Sequence, residues 1–530
     1  MANLYPGVQT LRIPSGSRSI TPVGTSTTAF IGIFKKGPVD KATRITSWGQ
    51  FVTIFGGHWT HSDASYAVEH YFLNGGGVAY IVRTTWGTSD AKATATINID
   101  GGTSRALDVT ATSEGAWGNN LRLAVAHNGS PGSYDLLIRE HSGTQIINEE
   151  VFAGLSTDQN HPRFADKVIN GTSALVTVAA DDGDMPGATL IGGSALSLTE
   201  LQQADLLTDG ITPTSGADGN VMTPTSSTWE ATARTALRGD AVNKTGLYAL
   251  DRITPDRFSL MCIPVTSRMS ATNAESVLTE AKQYCKNNYA FLLIGASDDS
   301  NPSNVSTWFT DIGVANREYS AGFFPRIEMA DPDNGGAIRS QDPSGAAAGI
   351  IARTDANRGF WKSPAGTEAG LGGGQLEHVL SDLDQEPLNR AGVNCFRQFP
   401  IVGTVLWGAR TLAGADALAS EYKYIAVART SLVIEASLRA GLQYAVFEPN
   451  DERLWGNIRL TVGAFMAGLH RDGAFQGASA KDAYFVKCDG ETTTQGDIDR
   501  GVVNVIVGFA PLKPAEFVFV KIQQITQAAT

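Results

Sequence analysis

Asn394–Leu412 reads NCFRQFPIVGTVLWGARTL, and Val446–Trp455 reads VFEPNDERLW. Neither stretch holds a nucleophile beside a base, a metal-ligand spacing or a phosphate-cradling loop. Both are built from aromatics, glycines and isolated charges, the material of packing and of contact between subunits.

The chain has 530 residues, too many for one core and enough for roughly three to four domains. With 42% apolar and 18% charged residues its composition is globular. A net charge of −12 disfavours direct nucleic-acid binding and attraction to anionic membranes. From Gln385 to Thr530 there are 14 basic and 14 acidic residues, so the first 384, with 27 and 39, carry the whole imbalance. A neutral end beside an acidic body suits self-contact on one part and solubility on the other. Cys262, Cys285, Cys395 and Cys488 form no CxxC pair, which points to buried thiols in a reducing compartment such as a bacterial cytoplasm. No apolar run reaches the roughly 18–20 residues of a membrane span, and the start MANLYPGVQT has no signal-peptide pattern.

Composition and periodicity divide the chain into an extended arm (1–22), the first part of an α/β core (23–90), a β-rich insertion (91–212), an α/β middle domain (213–384), a C-terminal domain (385–510) and a second arm (511–530). Pro6, Pro14 and Pro22 exclude a regular helix from the first arm, while Val8–Ile13 alternates like a half-buried strand. Ala29–Phe34, Val78–Val82, Leu247–Leu250, Ser259–Pro264 and Phe291–Ile294 read as buried strands. Ser62 or Asp63 can cap a helix carrying Ala64, Ala67, Val68, Tyr71 and Phe72 on one face. Within the insertion, Leu121–Ala126 and Tyr134–Arg139 alternate between turn residues. Asn450 or Asp451 can cap a second amphipathic helix with Leu454, Ile458, Val462, Phe465 and Leu469 on its apolar side, and Val502–Phe509 and Phe517–Ile525 are strand-like.

Taken in order, these blocks resemble the contractile tail sheath proteins, the sleeves around the tubes of contractile-tailed phages and related injection particles. TSTTAFIG, KGP, ITSWGQFVTIFGG and NGGGVAYIVR are similar to that family's N-terminal block. Ala330–Pro332, Asp342–Gly349 and Arg358–Gly366 match its middle domain, and the two opening stretches resemble its C-terminal domain. The resemblance implies an α/β (α+β multidomain) fold with a subtilisin-like middle domain, a β-rich outer insertion and a C-terminal α+β domain with exchanged terminal strands. It further implies a non-enzymatic subunit without cofactor or metal, polymerising as stacked six-subunit rings and contracting to drive a tube through a cell envelope. The implied partners are further copies of the chain, a tail tube protein, and baseplate and tail terminator proteins. Strand exchange would involve Tyr5, Val8, Thr10, Leu11 and Ile13 at one end and Phe517, Val518, Phe519, Val520, Lys521 and Ile522 at the other. Arg453 and Arg459 are candidates for facing the tube. A phage tail, a bacteriocin and an extracellular injection system share such a subunit; a type VI sheath, usually split into two chains, fits less well.

A few other residues invite a reactive reading. Ser344 stands in a small-residue turn, but no GxSxG elbow or local histidine partner accompanies it, so a hydrolase on the middle domain is disfavoured. Gly239–Thr245 superficially resembles a phosphate loop and fails on glycine spacing. His58 and His61 lack a third ligand, and Glu491, Asp497 and Asp499 depart from calcium-loop spacing; a turn followed by an N-capped element is the better reading there.

Overall fold

The computed structural model describes residues 19–87, 90–223 and 227–517. It divides into two compact units, one of residues 26–353 and 364–421, the other of 1–25, 354–363 and 422–530.

The larger unit is organised by an eight-stranded sheet. Its order is Thr43–Ile45, Ala79–Arg83, Thr28–Gly32, Leu260–Cys262, Phe291–Gly295, Ser320–Phe324, Val393–Phe399 and Gly403–Leu406. The six inner strands run parallel and the two edge strands antiparallel. Parallel strands covered on both faces have no solvent side, so they appear as unbroken apolar runs. TAFIG, LMC, FLLIG and SAGFF are buried at every position. Helix α1 (Asp63–Leu73) takes Ser62 rather than Asp63 as its N-cap, the hydroxyl accepting from Ser65 N–H. It lies close enough to the first strand that a Cβ on Gly32 would stand 2.8 Å from that of Ala64. Helix α2 (Ala271–Asn287) packs on the same core through Ala274, Val277, Leu278 and Ala281.

The β-rich insertion folds as two three-stranded antiparallel sheets sharing one apolar core. Thr94–Asn98, Arg105–Ala111 and Val176–Ala180 form one sheet; Leu121–His127, Ser133–Ser142 and Gln145–Ser156 form the other. Polar bonds join it to the strands before it. Lys36 Nζ meets Glu140 at 2.7 Å with both side chains buried, and buried Arg83 donates to the carbonyls of Phe34, Gly37 and Glu114.

Two expectations are corrected. Leu247–Leu250 is not a strand but part of a 3-10 turn, Gly246–Arg252. Gly246 has φ +54°, so the chain enters this run through a left-handed residue, which starts a turn. The division also does not fall at 385. Val393–Phe399 pairs in parallel with Ser320–Phe324, which ties NCFRQFPIVGTVLWGARTL to the large sheet and not to the C-terminal unit.

The smaller unit contains the end of α3 (Ser344–Arg358), α4 (Ile425–Gly441), α5 (Glu452–Arg471) and a two-stranded antiparallel sheet, Tyr484–Lys487 against Ile506–Phe509. Asp451 caps α5, accepting from Leu454 N–H. Leu454, Trp455, Ile458, Val462, Phe465, Met466 and Leu469 form its buried stripe.

Candidate assembly site

The C-terminal unit carries a small two-stranded antiparallel sheet. Tyr484 opposes Phe509, Phe485 opposes Gly508, Val486 opposes Val507 and Lys487 opposes Ile506. Alternation sends Tyr484, Val486, Val507 and Phe509 into the core that α5 also lines. Phe485 and Ile506 remain about half exposed. The Phe485 ring lies over Gly508, where a Cβ would come within 2.2 Å of it. Among the described residues neither strand has a second partner, so each outer edge presents unpaired N–H and C=O groups, a template for another strand. A two-stranded sheet is marginal alone; here the helix beneath supports one face, and among the described residues the edges stay open.

The chain leaves this sheet through Pro511, which bridges Phe475, and reaches Phe517 with its side chain 65% exposed. Val518, Phe519, Val520, Lys521 and Ile522 lie outside the described residues, as do Tyr5, Val8, Thr10, Leu11 and Ile13. Phe485 and Ile506 were not singled out from the sequence, although YFVK and NVIVGF carry the alternation that would have found them.

Arg453 and Arg459 are placed differently. Arg453 is exposed. Arg459 donates to the Cys488 carbonyl and meets Glu452 at 2.8 Å, so its charge is partly used within the unit. Six residues apart on a helix, they sit about 120° apart around the axis, and the structure does not bring them together on one line.

In the larger unit, the crevice beyond the carboxyl ends of the parallel strands is where open α/β sheets bind ligands. Here it is filled by the chain's own charges. Asp63, fully buried, meets Arg268 Nε at 2.7 Å, Arg339 Nη2 at 2.5 Å and Arg326 Nη2 at 3.8 Å. Burial alone would raise its pKa; the arginines more than offset that and hold the carboxyl well below the usual range. Arg326 also donates to Ser267 Oγ at 2.8 Å and Ser340 Oγ at 2.9 Å.

The other weighed residues are likewise bound to the fold. Ser344 is buried at the start of α3, its N–H donating to Asp342. His58 pairs with Glu69 at 2.8 Å while His61 faces the Met222 carbonyl, so the two do not converge. In the loop after Gly239, the N–H groups of Asp240, Asn243, Thr245 and Gly246 are all engaged within the protein, leaving them unavailable to a phosphate. Thr494 and Asp497 cap a short helix, Gln495–Asp499, by mutual bonds. Among the described residues no helix is long and apolar enough to cross a membrane.

Two family models match the chain. The phage tail sheath protein central domain matches residues 238–412 and the phage tail sheath C-terminal domain residues 419–525; together they cover more than half of it. The first includes Asn394–Leu412, in agreement with its place in the large sheet. The chain is 31% identical over 163 residues to the tail sheath protein of Burkholderia phage BcepMu, covering 30% of this chain and 34% of that protein. It is 28% identical over 202 residues to a putative prophage major tail sheath protein of Pseudomonas aeruginosa, covering 36% and 49%. The matches thus span between a third and a half of these relatives' lengths. The helical sheath of the anti-feeding prophage in its contracted state aligns over 99% of this chain and 100% of its own, with a TM-score of 0.57 and 21% identity, which shows the shared fold. With both of its domains matched in order on this architecture, the chain belongs to the phage tail sheath family.

Proposed function

We propose that the chain is the structural subunit of a contractile sheath. Copies stack as six-membered rings around a tail tube in a metastable extended state, then rearrange to a shorter, wider sleeve that drives the tube through a target envelope. The observation that carries this reading is the sheet Tyr484–Lys487/Ile506–Phe509, which among the described residues has no third strand beside it. Residues 5–13 of one neighbour and 517–524 of another would complete it by strand addition, in which backbone bonds supply affinity and alternate side chains the register. A head-to-tail contact of this kind does not close on itself and generates a helical tube. Lending only arms leaves each unit free to rotate as a body, the two-state change contraction requires.

The partners are other copies, the tail tube protein, and baseplate and terminator proteins at the ends. Exposed Arg453 is the better placed of the two arginines for the tube. The chain does no chemistry in this role, in keeping with a strand-end crevice filled by Asp63 and its arginines. The alternative is the sleeve of a DNA-free injection particle, favoured by the end-to-end likeness to the anti-feeding prophage sheath; capsid genes beside this one would decide against it.

Electron microscopy of the purified full chain with its tube protein tests the proposal. Hollow six-fold helical sleeves are expected, and chains lacking residues 1–13 or 517–530 should stay folded and monomeric. Flat lattices from the full chain, or sleeves from the truncated ones, would overturn it. Arg453→Glu should reduce tube decoration several-fold while leaving tube-free sleeves intact.

A further inference from the structure

The sequence holds four Asn-Gly pairs, beginning at Asn74, Asn128, Asn170 and Asn334. An asparagine before glycine is prone to cyclise, because no Cβ on the next residue hinders its backbone nitrogen from reaching the asparagine side-chain carbon. The fold holds three of these four amides by both of their polar atoms. Buried Asn74 donates to the carbonyls of His70 and Gly372 and accepts from Gly372 N–H. Asn128 donates to Ser133 Oγ and Asp135 Oδ1 and accepts from Ser130 N–H. Asn170 donates to the Val178 carbonyl and accepts from the Val178 N–H. Asn334 differs. It is exposed at the tip of the hairpin Ile327–Asp331/Ala337–Gln341, and its side chain forms no hydrogen bond among the described residues. Gly335 and Gly336 have φ +62° and +83°, and a Cβ on either would meet nothing within 4 Å. The turn around this pair is anchored nonetheless. Asp333 N–H donates to Asp331 Oδ1 at 3.0 Å, Thr60 N–H donates to Asp333 Oδ2 at 3.0 Å, and Gly336 N–H donates to the Asp331 carbonyl at 2.8 Å.

We propose that Asn334–Gly335 is a self-modification site, at which the folded chain converts its own asparagine to aspartate and isoaspartate. The Gly335 backbone nitrogen attacks Asn334 Cγ, and the new C–N bond closes a five-membered succinimide. The Cγ–Nδ2 bond breaks, water carries the proton from the Gly335 nitrogen to Nδ2, and ammonia leaves. A second water then opens the ring. Cleavage of its bond to Cγ yields an ordinary aspartate. Cleavage of its bond to the backbone carbonyl carbon leaves the chain running through the side chain, an isoaspartate with one extra methylene in the main chain. Nothing is oxidised or reduced, and one ammonia leaves for each water consumed. Either product places a new carboxylate beside Asp331 and Asp333, and isoaspartate also lengthens the turn that the Gly336–Asp331 bond closes. Each copy thus acquires a negative charge with age, whether or not it stands in a sleeve.

Peptide mapping of the full, unassembled chain kept in mildly alkaline buffer tests this. Trypsin releases residues 327–339 as one peptide, in which Asn334 is the only side-chain amide. A gain of about one mass unit in that peptide, with isoaspartate resolved as a separate peak, is expected at least ten-fold faster than in the peptides holding Asn74, Asn128 or Asn170, where reaction waits on local opening. In the urea-unfolded chain that protection is lost, and the four rates should converge. No gain at Asn334, equal rates in the folded chain, or a lead at Asn334 that persists undiminished in urea would each overturn the proposal. Asn334→Gln supplies a second measurement. Ring closure through the longer side chain is slower and the position is exposed, so the variant should keep the wild-type urea midpoint while its 327–339 peptide keeps its mass. A gain of mass there at the wild-type rate would equally remove the site.

Discussion

The two units satisfy their polar and apolar groups in opposite ways. In the larger one a carboxylate with no access to water, Asp63, is surrounded by Arg268, Arg339 and Arg326, and the fold supplies every partner itself. In the smaller one Phe485 and Ile506 stand about half in solvent on a sheet whose edges have no strand beside them among the described residues. A closed charge cluster stabilises one arrangement of one chain; an open edge acquires its full bonding only from another chain. The difference teaches where each kind of change should be felt, in monomer stability for the first and in assembly for the second.

The largest effect should come from breaking the closed side. Asp63→Ala leaves buried Arg326 and half-buried Arg268 and Arg339 without their shared anion. Removing one member of such a buried cluster typically costs about 3–5 kcal/mol, to be read as a lower urea midpoint of the unassembled protein. A loss below about 1 kcal/mol would mean that solvent reaches the cluster and that the larger unit is less closed than its geometry indicates.

The open side should respond in reverse. Phe485→Ser together with Ile506→Thr changes two exposed positions, where substitutions usually move stability by no more than about 0.5 kcal/mol each. Sleeve formation should nevertheless fall at least ten-fold by sedimentation, because the added strand loses the apolar surface on which its alternate side chains rest. Normal sleeves from this variant would show that backbone pairing alone holds the exchanged strand and would weaken the contrast between the units.

How far the sequence could foresee this contrast depended on the range of the interactions. Continuous apolar runs such as TAFIG and FLLIG declare buried parallel strands locally, and Asp451 before the Leu454–Leu469 stripe declares a helix start. The charge cluster was invisible because Asp63 and its arginines are separated by about two hundred residues or more of chain; locally Asp63 looked like half of an N-cap. NCFRQFPIVGTVLWGARTL was assigned to the wrong side of the division for a similar reason. Its pairing with Phe323 and Phe324 depends on a register between distant strands, which composition and order do not encode. The open sheet falls between these cases, its alternation legible in YFVK and NVIVGF while the lack of a second partner among the described residues emerges only in three dimensions.

The smallest effect concerns acid. His70 lies buried in α1 of the larger unit, and that burial holds its pKa below the usual value, with the neighbouring Glu69 carboxylate opposing the shift only in part. An unfolded chain protonates this ring near pH 6.5, whereas the folded chain does so only at a lower pH. Between those two points the unfolded state binds more protons, so folding stability falls as pH falls, by up to about 1.4 kcal/mol per pH unit for a single group. His70→Gln removes that dependence, so between pH 7 and pH 5.5 the urea midpoint of the wild type should fall further than that of the variant. The smaller unit has one histidine, His470, which is half-exposed on α5, and no buried ring of this kind. Acid should therefore loosen the self-sufficient unit first and leave the open-edged sheet, and sleeve formation through it, nearly unchanged down to about pH 6. Parallel pH dependence in wild type and variant would mean that His70 gains its proton without disturbing α1, and this contrast between the units would then rest on Asp63 alone.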